Sequence, residues 1–231
     1  MLELKSVNQF YGESHTLWDL DFHVAEGECS VLMGRNGVGK TTLLDCVMGH
    51  NPIKEGQILF QGEDISKLSV EKRPYVGIGY VPQGRQIFPL MTVEENLQIG
   101  LPVLPRAKRK IPDYIFDLFP VLKEMLNRRG GDLSGGQQQQ LAIARALVVD
   151  PKMLILDEPT EGIQPNIVQQ IGDIIRKLNE ELGLTVLLVE QKLPFARKVG
   201  DSFTLLDRGR NVASGAMTSL DDALVSKYLT V

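Results

Sequence analysis

The sequence predicts an α/β fold with a mostly parallel core sheet, an N-terminal antiparallel β-subdomain and a helical subdomain. Short apolar runs at Ser30–Met33, Met153–Leu156 and Thr185–Val189 are typical of buried strands, and helical patterns separate them. Near the N-terminus, Leu2–Val7 and Leu20–Val24 alternate apolar and polar residues, which favours antiparallel strands. A chain of 231 residues is long enough for one large domain of this kind.

Composition argues against several classes of protein. The formal net charge is -4, whereas nucleic-acid binders usually carry a basic excess. The dense basic run Arg106–Lys110 is interpreted as a solvated loop or helix face. Cys29 and Cys46 lack metal or disulfide spacing and are predicted to be buried free thiols. No apolar stretch approaches the ~20 residues of a membrane-crossing helix, so we expect another chain to supply any membrane span.

The core is expected to continue on both sides of the helical subdomain. A helix is predicted from Lys40 to Met48, stopped by Gly49. Further strands and helices are predicted at Gln57–Gln61, Gly79–Val81, Pro165–Glu181, Phe203–Leu206 and Asn211–Ala213. Ser219 is predicted to cap a last helix whose first turn holds Asp221 and Asp222.

The helical subdomain is predicted from its caps and its prolines. Thr92 and Glu95 have the spacing of a capping box, and prolines punctuate the segment that follows. A longer helix is predicted from Gly135 to Val149. We therefore expect a single domain over 1–231, divided into a core with its β-subdomain (1–91 and 150–231) and a helical subdomain (about 92–149).

The segment Gly34–Thr41 matches the phosphate-binding P-loop pattern in full, and it lies between a predicted strand and a predicted helix. Its backbone N–H groups and the positive end of the helix can converge on phosphate oxygens. Lys40 suits the β- and γ-phosphates and Thr41 suits Mg²⁺. The nucleotide-binding residues predicted from this segment are Gly34, Asn36, Gly37, Gly39, Lys40, Thr41 and Thr42.

Two carboxylates, Asp157 and Glu158, end the apolar run Met153–Leu156. Because successive side chains of a strand point to different surroundings, we predict different roles for them. Asp157 suits the second shell of Mg²⁺, and Glu158 suits the task of polarising an attacking water. Alone, this pair of carboxylates is weak evidence for a hydrolytic site. Together with a complete P-loop in the same chain, it is strong evidence.

Between these motifs lies Leu133–Gln137, with the sequence Leu-Ser-Gly-Gly-Gln, which we call the signature segment. Ser134 is a good N-cap, and Gly135 and Gly136 expose backbone N–H groups at a helix start. An ordinary helix cap is the plainer interpretation. Because the chain already has one phosphate-binding loop, we favour a second anion-binding helix end with a different task.

With the P-loop, signature segment and paired carboxylates in this order, the chain resembles the ATP-binding subunit of an ABC transporter over nearly its whole length. The resemblance implies a P-loop NTPase fold, ATP and Mg²⁺ as cofactors, and two nucleotides sandwiched between two such chains. It also implies that Ser134 and Gly136 contact ATP held by the opposite subunit. Tyr11 corresponds to the family's adenine-stacking aromatic residue, and Gln83 to the glutamine that reaches Mg²⁺ and the water.

Plainer interpretations stay open for some of these residues. Tyr11 could be a partly exposed tyrosine at a strand end, and Gln83 a glutamine of a surface turn. The loop Gly84–Met91 carries several apolar side chains near the place where the family docks a membrane subunit. Its apolar residues fit either an exposed partner site or burial beneath the helical subdomain.

The chain departs from the family pattern at two positions. Gln191 occupies the position of the family's histidine that senses the γ-phosphate. Its amide can donate a hydrogen bond but cannot change charge near neutral pH, so we list Gln191 with Lys40 and Glu158 as catalytic and exclude a proton relay there. Gln164 replaces an aspartate of the loop after Glu158, which leaves signalling between subunits through that loop open.

The resemblance extends to a branch of the family that takes up urea and branched-chain amino acids. The segments that carry it are Val81–Arg85, Glu161–Pro165 and Glu190-Gln191. In combination with Arg35–Val38 and Leu193–Arg197, they make the chain more similar to the urea-uptake ATPase. We therefore expect the ATP-hydrolysing subunit of an importer for urea or a related amide, with a branched-chain amino-acid importer as the alternative. A soluble ABC ATPase outside transport and a nucleotide-binding module without turnover also stay open.

The resemblance also implies partners and a location. We expect a second ATPase subunit of different sequence, a homodimer being possible in isolation, and two transmembrane permease subunits. A solute-binding protein would act indirectly, and no nucleic acid is expected. The chain would lie peripherally at the cytoplasmic face of the plasma (inner) membrane.

Overall fold

A computed structural model of the chain describes residues 1–230. Within this range the strands are β1 Leu2–Tyr11, β2 Ser14–Val24, β3 Cys29–Met33, β4 Glu55–Phe60, β5 Glu63–Asp64, β6 Ile78–Val81, β7 Met153–Asp157, β8 Thr185–Val189, β9 Ser202–Asp207 and β10 Arg210–Ala216. The helices are α1 Lys40–Met48, α2 Arg73–Val76, α3 Val93–Gln98, α4 Asp113–Leu118, α5 Pro120–Glu124, α6 Gly135–Leu147, α7 Pro165–Glu180, α8 Leu193–Val199 and α9 Asp222–Tyr228. Short 3₁₀ helices lie at Val70–Lys72, Leu101–Val103, Arg106–Lys108, Gly130–Asp132 and Met217–Ser219.

The strands form two sheets. A six-stranded sheet has the order β10-β9-β3-β8-β7-β6, in which every pair from β9 to β6 is parallel and β10 is an antiparallel edge strand. A four-stranded antiparallel sheet has the order β2-β1-β4-β5. The predicted combination of a mostly parallel core with an antiparallel β-subdomain is confirmed.

The parallel sheet is covered on both faces, which explains why β3, β7 and β8 are apolar runs rather than alternating ones. All five residues of each strand are buried. In β3, Val31 and Met33 join the core that includes residues of α6, α7 and α8, whereas Leu32 joins the core that includes α1 and the antiparallel sheet. The sheet therefore holds the ends of its central strands in fixed positions between two packed layers.

The segment between β6 and β7 is mostly helical, as predicted. It begins with a capping box at α3, in which Glu95 N–H donates to Thr92 Oγ1 at 3.1 Å and Thr92 N–H donates to Glu95 Oε2 at 2.7 Å. Short helices follow, and α6 then runs for 13 residues back towards the core. No helix within residues 1–230 is long and apolar enough to cross a membrane.

The predicted cap of the last helix is wrong. Helix α9 begins at Asp222, and its N-cap is Asp221, whose Oδ1 accepts a hydrogen bond from Leu224 N–H at 2.8 Å. Ser219 instead lies in a 3₁₀ turn and donates to the carbonyl of Ala216. Leu220 between them is buried, so the chain first packs this side chain into the core and only then starts the helix.

Candidate functional site

A cavity of about 660 Å³ opens at the carboxyl edge of the parallel sheet, beyond the ends of β3, β7 and β8. This edge is where ligands usually bind in open α/β sheets. The cavity is lined by Thr16, Asn36, Gly37, Gly39, Lys40, Thr41, Thr42, Gln83, Glu158, Thr160, Glu161, Gly162, Glu190, Gln191 and Lys192. It therefore brings together residues from the P-loop, from the glutamine after β6 and from the loops after β7 and β8.

The P-loop connects β3 to α1, and the structure favours glycine at Gly34 and Gly39 for different reasons. A Cβ on Gly34 would lie 2.5 Å from the carbonyl oxygen of Leu206, a contact that side chains do not make. Gly39, the N-cap of α1, has φ 111, and α1 has no side-chain cap. The first N–H groups of a helix lack intrahelical partners, so this uncapped end presents donors and positive potential to the cavity.

Lys40 lies at the floor of the cavity. It is 6 % exposed, and its ammonium group donates hydrogen bonds to the carbonyl oxygens of Gly34 at 2.8 Å and Arg35 at 3.0 Å. Burial lowers the pKa of Lys40, and the nearby carboxylates of Glu158, Asp157 and Glu190 oppose that shift. The bonds to the loop are ones that a bound anion can replace, because an ammonium group prefers a charged acceptor.

Glu158 follows β7 in a left-handed backbone conformation with φ 47. Such a conformation is costly for a residue with a side chain and is concentrated at functional sites. It is held here because Glu158 N–H donates to the carbonyl of Val189 at 2.9 Å, beside the end of β8. The carboxylate accepts hydrogen bonds from two amides, from Gln191 on Oε1 and from Gln83 on Oε2 at 3.4 Å.

Gln191 connects two parts of the site. Its amide nitrogen donates to Glu158 and also to Oδ1 of Asn36 in the P-loop, at 2.7 Å. The residue that departs from the family pattern therefore lies between the P-loop and the carboxylate after β7. As an amide it donates to both without changing its charge.

Asp157, the last residue of β7, is only 5 % exposed. Burial raises its pKa to about 6, the negative charge of Glu158 adds to the shift, and Lys40 opposes it. Thr41 and Gln83 supply a hydroxyl and an amide to the cavity, whose lining includes the neighbouring Glu158 but not Asp157 itself. Within residues 1–230, no group of three or more His, Cys, Asp and Glu side chains could hold a metal ion. Mg²⁺ usually needs fewer, because it retains waters and takes phosphate oxygens as ligands.

Sequence reasoning missed several residues of the cavity wall, namely Thr16, Thr160, Glu161, Gly162, Glu190 and Lys192. Glu161 accepts a hydrogen bond from Gln83 at 2.8 Å. The carboxylates Glu161 and Glu190 stand just beyond the buried strands β7 and β8, and that position was a usable signal. Nothing in the local sequence marks Thr16, which reaches the cavity from β2.

Five of the predicted residues do not line the cavity, and the buried Asp157 described above is one of them. Gly34 begins the P-loop, and its carbonyl oxygen accepts a hydrogen bond from Lys40. Tyr11 ends β1, is 48 % exposed, and its hydroxyl accepts a hydrogen bond from Asn51 at 2.6 Å. Ser134 and Gly136 lie at the start of α6.

Comparisons with known proteins identify the family of the chain. The family model described as ABC transporter matches residues 17–161, more than half of the chain. The chain belongs to the ABC transporter family. It is an ATPase with the P-loop fold of that family and binds nucleotide.

Individual relatives cover nearly the whole chain. A high-affinity branched-chain amino acid transport ATP-binding protein, BraG of Pseudomonas aeruginosa, is 42 % identical and the match covers 92 % of this chain and 91 % of that protein. A probable branched-chain amino acid transport ATP-binding protein, LivF of Archaeoglobus fulgidus, is 38 % identical, and the match covers 95 % of this chain and 94 % of that protein. The fold matches a dimeric ATP-binding cassette, MJ0796, in a post-hydrolysis state with ADP and phosphate, with TM-score 0.84, 29 % identity and coverage of 94 % and 99 %.

Proposed function

We propose that this ABC ATPase is the ATP-hydrolysing subunit of a membrane importer for a small polar solute. The observation that carries the proposal is the single cavity in which Lys40, Glu158 and Gln191 meet at the uncapped end of α1. The relatives BraG and LivF, whose names describe transport of branched-chain amino acids, support import as the use of that hydrolysis.

In this proposal the triphosphate lies over the start of α1. Lys40 turns its ammonium group from the carbonyls of Gly34 and Arg35 to the β- and γ-phosphates, and Gly37, Gly39 and Thr42 surround the phosphate chain. Tyr11 stacks on the base from the exposed end of β1. An aromatic face gives stacking without reading the edge of the base, so discrimination among nucleotides is expected to be loose.

Thr41, Gln83 and Asp157 would hold Mg²⁺. They fit the ion because a hydroxyl, an amide oxygen and a carboxylate are the hard oxygen donors that it prefers, and because the buried Asp157 with its raised pKa is a carboxyl group that gains from a nearby cation. When bound, the ion neutralises charge on the phosphates.

Glu158 would act on the attacking water. Both of its oxygens accept hydrogen bonds from amides, which orient the carboxylate while leaving it able to accept a proton from water. Gln191 would align this carboxylate with the γ-phosphate by donating hydrogen bonds from its side-chain amide. It would not transfer a proton. We therefore expect slow turnover in the isolated chain, and full turnover only with a partner subunit.

Ser134 and Gly136 would contact ATP on the opposite subunit of a dimer. Both lie at the start of a 13-residue helix and outside the cavity of their own chain. A helix N-terminus attracts phosphate through its unpaired N–H groups and its dipole. We propose that the partner is a different ATPase chain, since an intact signature segment accompanies a site whose histidine is replaced by Gln191.

A groove of about 390 Å³ between the core and the helical subdomain is our proposed docking site for a permease subunit. Tyr80 lies on the core side and Ile99 on the helical side, with Phe88 between them. Phe88 and Ile99 are 43 % and 44 % exposed, and Leu90 close to Phe88 is 82 % exposed. Exposed apolar side chains at this density mark partner sites. The groove supports the proposed division into a core (1–91 and 150–231) and a helical subdomain (about 92–149).

The solute is proposed to be urea or a related amide, on the sequence pattern alone. Branched-chain amino acids are the second candidate, which the two relatives named above favour. With two transmembrane permease subunits and a solute-binding protein as partners, the chain would lie peripherally at the cytoplasmic face of the membrane.

The test is reconstitution with the membrane subunits that co-purify with the chain. Vesicles that hold the complex with its ATPase subunits and ATP inside, and the solute-binding protein outside, are expected to accumulate labelled urea. The Lys40→Ala complex is the matched control that should not. Accumulation of labelled leucine instead would transfer the assignment to branched-chain amino acids. Recovery of the chain without any multi-span membrane subunit would contradict the importer. Robust, cooperative hydrolysis by the isolated homodimer would contradict the need for a different partner.

A further inference from the structure

Glu190 is a buried carboxylate for which the mechanism above has no role. It directly follows β8, lines the cavity and is only 2 % exposed. Burying a charge is costly unless hydrogen bonds satisfy it. Its surroundings therefore indicate what the chain gains from placing a carboxylate there.

The carboxylate of Glu190 has partners on both oxygens. Oε2 accepts the backbone N–H groups of Gln191 at 2.7 Å and Lys192 at 2.9 Å. Oε1 accepts the hydroxyl of Thr160, and the ammonium group of Lys192 donates to the carbonyl of Thr160 at 2.8 Å. Glu190 thus joins the loop after β8 to the loop after β7.

The backbone of Glu190 is anchored as well. Its N–H donates to the carbonyl of Leu32 at 3.2 Å, in the strand that leads into the P-loop. Thr160 lies between Glu158 and Glu161, which both receive hydrogen bonds from Gln83. The residue next to Gln191 is therefore fixed to β3 by its backbone and to the Glu158 loop by its side chain.

We propose that Glu190 is a positioning residue for hydrolysis. By holding the backbone of Gln191, it keeps the Gln191 amide within reach of both Glu158 and Asn36. This inference rests on the role proposed above for Gln191. A glutamine side chain has several rotatable bonds, so fixing the backbone of Gln191 restricts the positions that its side-chain amide can reach. Since both of its carboxylate oxygens are already bonded to the chain, Glu190 acts through Gln191 rather than on the nucleotide.

The test is a double-mutant cycle on the ATPase complex, with kcat and nucleotide affinity measured separately. Glu190→Gln keeps the size of the side chain but removes its negative charge and one of its two acceptor oxygens, so the N–H groups of Gln191 and Lys192 lose their charge-assisted hydrogen bonds. It is expected to lower kcat about tenfold while nucleotide affinity changes little, as typical coupling energies allow. In the Gln191→Ala background the same substitution should have almost no further effect on kcat.

Two further variants separate positioning from a general loss of stability. Asp201→Asn removes another carboxylate that accepts a backbone N–H, that of Cys29 at 2.9 Å, away from the cavity, and should leave kcat unchanged. Thr160→Val removes the hydroxyl that bonds to Glu190 and should lower kcat in the same direction by less. It also serves as the test if Glu190→Gln does not fold.

The outcomes distinguish this inference from the proposed role of Gln191. If Glu190→Gln lowers kcat equally with and without Gln191, the carboxylate does not act through that residue and the proposal is overturned. If Gln191→Ala lowers kcat and Glu190→Gln does not, only the positioning role fails. A wild-type kcat for Gln191→Ala would remove the role of Gln191 itself, and with it the role of Glu190.

Discussion

The N-termini of α1 and α6 both point to phosphate binding, yet they are built differently. At α1 the N-cap is Gly39, and no side chain bonds to the exposed N–H groups. At α6 the N-cap is Ser134, and a complete capping box is present: Gln137 N–H donates to Ser134 Oγ at 3.3 Å, and Ser134 N–H donates to Gln137 Oε1 at 2.9 Å. The start of α1 lies in the cavity, whereas the start of α6 does not line it.

This difference shows that one helix end needs a ligand and the other is satisfied without one. The uncapped α1 keeps its donors for an anion, at the cost of leaving them unpaired in the free protein. The box at α6 uses the N–H of Gln137 and leaves those of Gly135 and Gly136 at the first two helical positions. A phosphate brought by another subunit could therefore bind at α6 without unfolding the helix.

The largest effect is expected from Glu158→Gln, because it removes the proton acceptor at the α1 end. Loss of a general base typically lowers the rate by about 10²–10⁴-fold. ATP should still bind, since Lys40 and the P-loop are unchanged, and an ATP-bound dimer should accumulate in which the α6 end of one subunit covers the α1 end of the other. Steady-state hydrolysis and size-exclusion chromatography with ATP measure the two effects.

Glu161→Gln is the matched control for that variant. Glu161 is also a carboxylate of the cavity wall and also bonds to Gln83, but it is not bonded to Gln191. We expect it to retain most of its hydrolysis. Normal hydrolysis by Glu158→Gln would remove the catalytic assignment, and equal losses in both variants would show that negative charge rather than the position of Glu158 matters.

The next effect is a contrast between glycines at the two helix ends. Gly39→Ala forces a side chain into a left-handed conformation, and its Cβ would meet Leu17 at 3.1 Å; a strain of about 1–3 kcal/mol is typical. Because the strain falls on the P-loop, affinity for a fluorescent ATP analogue should fall at least about tenfold, the equivalent of 1.4 kcal/mol.

Gly135→Ala is the control at the other end. Its Cβ would meet only the flexible end of Arg85, at 3.4 Å. Nucleotide affinity of the single chain should stay within about twofold of wild type, a difference of less than 0.5 kcal/mol. An equal loss of nucleotide affinity in the two variants would mean that α1 and α6 both contribute to the chain's own nucleotide site. It would contradict a site formed at the start of α1 alone.

A smaller effect is expected from removing the α6 cap. Ser134→Ala should destabilise the fold by about 1 kcal/mol, the usual value of an N-cap, and weaken the ATP-dependent dimer of the Glu158→Gln chain. Asp221→Ala removes the cap of α9 and should cost similar stability with no effect on the dimer. Thermal unfolding and dimer titration separate the two. A dimer weakened equally by both variants would indicate a stability effect alone.

Much of the core could be predicted because its signals are local. Helix α1 and strand β8 have the predicted boundaries, since a P-loop glycine, a terminal glycine and a fully buried apolar run each mark their ends in the sequence. Strands β1 and β2 are longer than predicted, up to Tyr11 and from Ser14. The added residues mix polar with aromatic and aliphatic side chains, and pairing between the two strands continues through them to Tyr11 and Ser14.

The parts of the site that could not be predicted depend on contacts between distant segments. Local sequence motifs predicted Lys40 and Glu158 as site residues, and both line the cavity. Glu190 was seen only as part of a family pattern, because its bonds to Thr160 and Leu32 join residues far apart in the chain. The wrong cap at Ser219 has the same origin, since burial of Leu220 decides where α9 begins.

The smallest expected effect is that of ATP on the reactivity of the Cys46 thiol. Measuring this reactivity tests whether α1 stays fixed when nucleotide binds. Cys46 is on α1 and 1 % exposed, and burial, together with the charge of Asp45, raises its pKa to about 12. At pH 8 the thiolate, the reactive form, is then about one part in ten thousand. We expect no measurable labelling of native Cys46 with or without ATP, and full labelling in denaturant.

A cysteine introduced by Ser134→Cys at the exposed start of α6 should react readily and become protected when the ATP-bound dimer forms. Labelling of Cys46 that responds to ATP would instead show that α1 moves on binding, so that the two helix ends would no longer differ as a fixed and a partner-dependent site.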